Sequence, residues 1–239
     1  MTTEFAVLPL LLDPALTTST WQPRSPIADR ERVLVGRQAI FTSAGHLSGY
    51  EVVFRSSHYA PLRVAHWSAA AQDGAAAHVL KAIFDGVGTG RVVGGRCAFV
   101  TLTRSYLVGD RALPDEPDRL VIEIAPSVEA DATVIAGIKA LRARGFRIAI
   151  DDFVGGTSQR RLLPFADYVK IDARDLDVEG APLLELARSH GARLVAACIE
   201  SPLMELECQS LGFELFQGSG LEAIRVLDLS ALEPSERRR

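Results

Sequence analysis

Acidic and polar residues recur where short apolar runs of this chain end. Glu123 lies within the run 120–124, and Asp151 and Asp152 follow Ile150 directly. The full set of such side chains is Glu123, Asp151, Asp152, Lys170, Asp172, Glu200 and Gln217. If the runs are parallel strands of a barrel, their carboxyl ends meet at one rim, and these side chains share one pocket.

Several carboxylates that face one another repel, and their burial is costly unless a cation compensates them. A lysine or a divalent metal meets this need, and carboxylate oxygens suit Mg²⁺ or Mn²⁺. The alternative is that each acid merely caps the helix that follows it, since aspartate is a preferred N-cap residue. That explanation is better for one isolated acid, but several acids in register at one rim favour a functional pocket.

The elements that would position these residues alternate regularly between strand and helix. Apolar or β-branched runs predict strands at 33–41, 50–55, 98–102, 120–124, 147–151, 168–172, 194–199 and 214–217. Apolar residues at three-to-four spacing predict helices at 69–84, 130–144, 158–163, 182–190 and 202–211. Gly145, Gly191 and Gly212 lie where three of these helices should end. This alternation predicts an α/β fold with a mainly parallel sheet, and roughly eight strands at this length favour a closed TIM-like (β/α)8 barrel.

Composition narrows the class of protein. The chain has 239 residues, 48% of them hydrophobic, and a formal net charge of −4. Sequence-independent binding to nucleic acid requires a basic face, which this balance argues against. A small anionic ligand is still compatible with it, because a local arginine or lysine together with a metal can hold a phosphate.

The domain plan is simple. Residues 1–31 are rich in Pro, Thr and Ser and are predicted to form an N-terminal arm, 32–228 the barrel domain, and 229–239 a C-terminal tail. The three cysteines, Cys97, Cys198 and Cys208, are scattered and show no paired motif, which is typical of reduced thiols. No run is long enough for a transmembrane helix and no signal peptide is apparent. We therefore expect a cytoplasmic protein without membrane contact.

A family resemblance runs from about residue 33 to about residue 222. It rests on VGRQAIF at 35–41, GYEVVFR at 49–55, LVIEI at 120–124, GFRIAIDDF at 145–153, YVKID at 168–172 and FQG at 216–218. In this order the segments resemble the EAL domain, a family that hydrolyses or binds cyclic di-GMP. The opening segment is most similar to the branch of EAL domains that is usually fused to an HDOD domain.

The resemblance implies a role for each matching residue. Glu51, Glu123, Asp151 and Asp152 match the family's metal-binding acids, which implies Mg²⁺ or Mn²⁺. Arg55 matches the arginine that holds a ligand phosphate, and Asp152 and Gln217 also match ligand-side positions. Lys170 matches the lysine beside the attacking water, and Glu200 matches the second glutamate of the family's Glu-Gly-Val-Glu strand end.

Departures from the family pattern bear on activity. Thr101 stands at the position of a metal-binding asparagine, and Ala197 at that of the first glutamate of Glu-Gly-Val-Glu. Pro126 stands at the position of a glutamate that steadies the loop after Asp-Asp-Phe. Two-metal hydrolysis of a phosphodiester needs carboxylates to fix both ions and the attacking water. The missing carboxylate at 197 therefore predicts a degenerate site with impaired catalysis.

Three functions stay open at this point. The first is a catalytically impaired EAL domain that acts as a cyclic-di-GMP receptor or a protein-interaction module. The second is a weakly active, metal-dependent cyclic-di-GMP phosphodiesterase, and the third is a partner-binding domain that does not bind nucleotide. The resemblance also implies a protein partner and a homodimer formed near the Asp-Asp-Phe segment.

Overall fold

The computed structural model describes residues 33–55, 67–86 and 89–229. The strands are β1 (Leu34–Thr42), β2 (Leu47–Phe54), β3 (Cys97–Leu102), β4 (Leu120–Ile124), β5 (Arg147–Ile150), β6 (Tyr168–Asp172), β7 (Arg193–Ala197), β8 (Leu215–Phe216) and β9 (Arg225–Asp228). The helices are α1 (Ala69–Leu80), α2 (Thr89–Val92), α3 (Arg104–Leu107), α4 (Ala132–Ala143), α5 (Thr157–Leu162), α6 (Leu176–Arg188) and α7 (Pro202–Ser210). A π-helical turn, Lys81–Gly86, extends α1, and short 3-10 turns cover Leu163–Phe165 and Ala173–Asp175.

The sheet closes into a barrel. Strands β2 to β8 are parallel neighbours in chain order, and β1 closes the ring by pairing with both β2 and β8. The predicted eight-stranded α/β barrel is thus confirmed, with two differences. Strand β1 runs antiparallel to both of its neighbours, and an additional strand, β9, pairs with residues Leu34 to Arg37 of β1.

The barrel has one apolar layer inside it. That layer consists of Ile40, Phe99, Val121, Ala149, Tyr168, Val195 and Leu215, all buried. The outward residues of the same strands pack under the helices in a second, larger cluster. Strand β4 is buried at every position, as expected for a parallel strand covered on both faces. The inner layer forms the floor on which any pocket at the carboxyl ends of the strands must rest.

Helix ends follow the signals in the sequence. Asp131 caps α4 by accepting a hydrogen bond from the Val134 amide at 2.9 Å, and Ser201 caps α7 through the Met204 amide at 3.2 Å. Gly145 and Gly212 follow α4 and α7 with φ of 94° and 83°, a conformation that favours glycine. The helix stops predicted at these two glycines are confirmed.

Alanine substitutions at two glycines inside helices are expected to change the free energy of unfolding in opposite directions. A Cβ on Gly137 in α4 would lie 1.9 Å from the carbonyl oxygen of Leu107, whereas a Cβ on Gly74 in α1 would have no neighbour within 4 Å. Gly137→Ala should therefore lower the free energy of unfolding by at least about 2 kcal/mol. Gly74→Ala should raise it by about 0.5–1 kcal/mol, since alanine favours helix. Urea unfolding of both variants measures this, and equal effects would contradict the described packing of α4 on α3.

The predicted arm, residues 1–31, lies outside the described residues, as does the tail beyond 229, so both assignments stay predictions. Leu229 itself is buried, and its amide donates to the Val33 carbonyl at 2.8 Å, so this residue belongs to the barrel. Within the described ranges, none of the helices has the length and apolar character needed to cross a membrane. The three cysteines are free.

Candidate functional site

The polar residues predicted to converge do so one step above the apolar layer. Side chains on a strand alternate between its two faces, so the residue two places after an inward residue also points inward. From the layer members on β3 to β8 this rule leads to Thr101, Glu123, Asp151, Lys170, Ala197 and Gln217. On the antiparallel β1 it leads back to Gln38, which pairs in register with Glu51 of β2. The site is therefore a polar layer above the apolar one.

Lys170 lies at the centre of this layer. Its Nζ is 2.8 Å from Oε1 of Glu123, 3.1 Å from Oε2 of Glu51 and 3.3 Å from Oδ1 of Asp151. Only 3% of the Lys170 side chain and none of Glu123 is exposed. One buried ammonium thus binds three carboxylates, which lie on β2, on β4 and directly after β5.

Neutral side chains complete the hydrogen bonding around the acids. Gln217 donates through Nε2 to Glu51 and also to Oε1 of Gln38 at 3.1 Å. Thr101, which pairs in register with Glu123, donates through Oγ1 to Oε2 of Glu123 at 3.3 Å. The Oε1 atom of Gln217 is buried without a hydrogen-bond partner among the described residues. Gln217 is also one of the residues that line the cavity described below.

Charge crowding separates the pKa values of the three acids. Burial, only partly offset by Lys170 and reinforced by Glu51 and Asp151, raises the pKa of Glu123 to about 8. Burial also raises the pKa of Asp151. The neighbouring carboxylates shift this pKa in the same direction, and Lys170 offsets the increase only in part. Burial acts in the same direction on Glu51, but the Lys170 charge and the bonds from Gln217 and Lys170 outweigh it and lower the pKa. The pKa of Glu123 therefore lies above neutral pH, and the pKa of Asp151 is raised in the same direction.

The raised pKa makes stability depend on pH. Glu123 has an ordinary pKa of 4.5 when unfolded and about 8 when folded, so its stabilising contribution is complete below 4.5 and is lost as the pH rises through 8. In chelator, the free energy of unfolding should fall by about 2 kcal/mol between pH 6.5 and pH 8.5. Denaturant titrations at several pH values measure this.

Glu123→Gln is the matched control for this pH series, because it removes the titrating group but keeps the shape. His78, whose pKa is lowered by burial, acts in the opposite direction but is present in both proteins. The difference between the two profiles therefore isolates Glu123. If that difference were independent of pH from 6.5 to 8.5, the assignment of the proton to Glu123 would be wrong.

The loop after β5 carries the second aspartate of the Asp-Asp pair. Asp152 has φ of 49°, so the chain turns there, and its exposed side chain does not join the carboxylates on Lys170. Gln159 of α5 holds the loop. Its Oε1 accepts from the amides of Val154 and Gly156 at 3.0 and 3.2 Å, and its Nε2 donates to the Asp152 carbonyl at 2.8 Å. Gln159 thus steadies this loop from within the loop–helix segment itself.

A second charged group lies at the ends of β6 and β7. Arg174 binds Asp172 with its Nε at 3.0 Å and its Nη2 at 2.6 Å, and its Nη2 is 3.4 Å from Sγ of Cys198. Cys198 has φ of 59°, which ends β7 at Ala197. Burial and the Asp172 charge raise the pKa of the Cys198 thiol to about 11. This thiol is therefore neutral at physiological pH and is not an activated nucleophile.

The two groups share one cavity of about 730 Å³ at the carboxyl ends of the strands. Among its lining residues are five carboxylates and three cations, which are Glu51, Asp151, Asp152, Asp172, Glu200, Arg55, Lys170 and Arg174. Phe54, Ala75, Ala76 and Val79 form an apolar wall on the side of β2 and α1. A pocket of this size with convergent polar groups and an apolar wall is typical of a small-molecule site.

A family model described as the EAL domain matches residues 99–222, which include most of β3, all of β4 to β8 and most of the site. This chain belongs to the EAL domain family. The predicted membership of the EAL domain family is confirmed, whereas placement in the branch fused to HDOD domains stays a prediction. The EAL match covers the acids on β4 and β5, Lys170, and both departures, Thr101 and Ala197.

Individual relatives of this EAL domain agree with the assignment. The chain is 27% identical over 202 residues to the uncharacterized protein YuxH of Bacillus subtilis, which covers 82% of this chain and 48% of YuxH. It is 27% identical over 188 residues to the cyclic di-GMP phosphodiesterase CdgJ of Vibrio cholerae. This match covers 77% of this chain and 42% of CdgJ. The chain thus spans about half the length of the curated relatives it matches.

Among solved structures, the fold is similar to that of the YkuI protein of Bacillus subtilis, which has an EAL domain and was determined in complex with its substrate c-di-GMP and calcium. The TM-score is 0.66 at 20% sequence identity, and the match covers 88% of this chain and 59% of YkuI. At this identity the likeness concerns the fold, and it agrees with the barrel described above.

The EAL domain brings together most of the residues predicted from the sequence. Glu51, Glu123, Asp151 and Lys170 are in direct contact, and Gln217 hydrogen bonds to Glu51. Arg55, Asp152 and Glu200 line the same cavity without joining that contact network. The roles assigned to all eight residues stay predictions.

Three contributors were missed: Gln38, Gln159 and Arg174. Gln38 lies two residues before the inward Ile40, and this spacing is the signal that could have identified it. Gln159 sits in a predicted helix, where a glutamine normally faces solvent. Arg174 follows a strand end, where an arginine resembles any surface cation.

The donor set of this EAL domain suits a divalent cation in its chemistry. The acids supply hard oxygen ligands, and the carboxylates that line the cavity outnumber its cations. Within the described residues, however, no three acidic, histidine or cysteine side chains are grouped so that they could hold a metal ion as folded. Lys170 lies among the three carboxylates instead. Three of the acids that could hold an ion are thus bound to Lys170 in this structure.

Proposed function

We propose that this EAL domain is a cyclic-di-GMP receptor whose capacity for hydrolysis is impaired. The observation that carries the proposal is the asymmetry of the rim. The acids around Lys170 are all present and connected, whereas Ala197 contributes no ligand atom at the end of β7 and Thr101 donates a hydrogen bond where an acceptor oxygen would be needed.

The cavity supports binding of a nucleotide. Arg55 lines the cavity, where its guanidinium can bind a phosphate; its Nη1 donates to the Phe54 carbonyl at 3.0 Å, and its charge lowers the pKa of Glu51. Asp152, which is exposed in the cavity, offers an acceptor for N–H groups of a base. The apolar wall that includes Phe54 and Val79 offers a surface against which a base can pack. The complexed c-di-GMP of YkuI makes this nucleotide the first ligand to test.

Mg²⁺ or Mn²⁺ belongs to the same proposal, with Glu51, Glu123, Asp151 and Asp152 as the residues that would hold it. When bound, such an ion would neutralise phosphate charge and make a bound water more acidic. The calcium in the YkuI complex supports a divalent ion at this kind of site. In this chain, Lys170 holds three of the four carboxylates in place and keeps the acid cluster partly neutral without an ion.

Weak turnover is the expected consequence of the two departures. An attacking water that is displaced by about 1 Å costs roughly 100-fold in rate. Glu200, the predicted second catalytic residue, is exposed and reaches only Arg174, at 3.7 Å. Lys170 is fully engaged by acids.

The deciding experiment titrates the protein calorimetrically with cyclic di-GMP, once with Mg²⁺ or Mn²⁺ and once with chelator, and follows the linear product by chromatography. We expect saturable binding and little product. Brisk hydrolysis that Asp151→Ala abolishes would favour the phosphodiesterase alternative. No binding under either condition would favour the partner-binding alternative and overturn the proposal.

The predicted homodimer, protein partner and cytoplasmic location belong to the same proposal. The dimer would use the loop after Asp-Asp-Phe, where the side chain of Val154 is 53% exposed. Light scattering at several concentrations, compared with Val154→Asp, tests that surface. Loss of a dimer in the variant would support the assignment.

A further inference from the structure

Arg174 lines the cavity and is a cation whose side chain is held in place by Asp172. It lies in the 3-10 turn after β6, and its guanidinium is anchored on Asp172 through Nε and Nη2. The Arg174 amide also donates to Oδ1 of Asp172, at 2.9 Å. The side chain is therefore held in one orientation, although 46% of it is exposed. An arginine held this way loses little conformational freedom when it binds a ligand.

Part of the guanidinium is still available. The Nη1 atom has only a long ion pair with Glu200, at 3.7 Å, which exceeds hydrogen-bond distance. Ala197, the register partner of Asp172 on β7, has no polar side-chain atom that could compete for it. Arg174, Ala197 and Glu200 all line the cavity. The Nη1 side of the guanidinium can therefore donate hydrogen bonds to an anion.

Arg174 and Arg55 lie on opposite sides of the barrel mouth. Arg55 follows β2, Arg174 follows β6, and these strands are four positions apart in either direction round the eight-stranded ring. Lys170, between them, is saturated with carboxylates. Two arginines on opposite sides of one cavity suit a ligand that carries two separate phosphate groups, and guanidinium groups bind phosphate in a forked geometry.

We propose that Arg174 is a ligand-binding residue that holds one phosphodiester of cyclic di-GMP while Arg55 holds the other. This inference rests on the proposed function and assigns the second phosphate contact within the same cavity. Arg174 supplies its positive charge from the protein itself, on the side of the rim where Ala197 contributes no ligand for an ion.

The test compares calorimetric affinities for cyclic di-GMP of the wild type, Arg174→Gln, Arg174→Lys and Arg55→Gln. Arg193→Gln is the matched control, because Arg193 is 42% exposed and pairs with Glu214 at 2.9 Å at the opposite end of β7. Arg174→Gln and Arg55→Gln should each weaken binding about ten- to hundredfold, and Arg174→Lys less. Arg193→Gln should leave the affinity within about twofold of the wild type, as expected for a surface pair.

The outcomes separate this inference from the proposed function. If the wild type binds and Arg174→Gln binds equally well, the inference is overturned and the receptor function stands. If Arg174→Gln and Arg193→Gln weaken binding to the same extent, the effect is not specific to the cavity and the inference is overturned as well. If the wild type itself does not bind, both fail together. Urea midpoints of each variant verify that the barrel is folded.

Discussion

Replacing Lys170 by methionine should lower the free energy of unfolding by about 3–5 kcal/mol at pH 7.5 in chelator. Methionine preserves most of the volume and removes the charge. Glu51, Glu123 and Asp151, which lie 2.8–3.3 Å from the ammonium, then face one another without a cation between them. An uncompensated buried charge is among the few changes that produce an effect of this size. Urea unfolding with chelator in all solutions measures it.

The pH dependence of Lys170→Met distinguishes this cause from a simple packing defect. Without the ammonium the three carboxylates take up protons more readily, so the variant should regain stability as the pH falls from 7.5 to 5.5. Lys81→Met is the control, because Lys81 is exposed and should change stability by less than about 0.5 kcal/mol. A loss of stability that is equal at both pH values would mean that Lys170 contributes through its volume and not its charge.

Restoring the two departures should produce activity. Ala197→Glu together with Thr101→Asn returns a carboxylate and an amide oxygen to the rim, and hydrolysis of cyclic di-GMP with Mn²⁺ should rise at least about 100-fold over the wild type. The physical reason is that the added carboxylate and amide oxygens can hold the metal ions and the attacking water in place, which the side chains of Ala197 and Thr101 do not do. Chromatographic detection of the linear dinucleotide gives the rate.

The control for the double variant is Ala197→Gln with Thr101→Asn, which has the same size but no added charge and should stay slow. A charged double variant as slow as the wild type would place the defect elsewhere in the site.

The barrel and the position of its polar layer could be predicted from the sequence because both depend on short-range rules. Strand runs such as 120–124 are apolar at nearly every position, which is typical of strands covered on both faces. Residues at their ends must then lie at one rim. That Glu123, Asp151 and Lys170 meet follows from this placement without any knowledge of loops.

Other features depend on contacts that no local pattern encodes. The run at 33–41 reads equally well in either direction, and the antiparallel orientation of β1 is set by partners near the other end of the domain. Strand β7 ends at Ala197 and not at the predicted residue 199, because Cys198 adopts a left-handed conformation. The contacts of Lys170 with three acids could not be predicted either, because they depend on how four strands are aligned in space.

Strand β1 also determines when the domain can form during synthesis. Phe41 pairs with Phe216, about 175 residues later in the chain, and Leu34 pairs with Asp228. The ring therefore cannot close until nearly the whole barrel sequence has left the ribosome, which gives the domain a high contact order. Until then β1 and β8 each have an unpaired edge, a condition that promotes aggregation of partly folded chains. Refolding yield should accordingly be more sensitive to protein concentration than the equilibrium stability is.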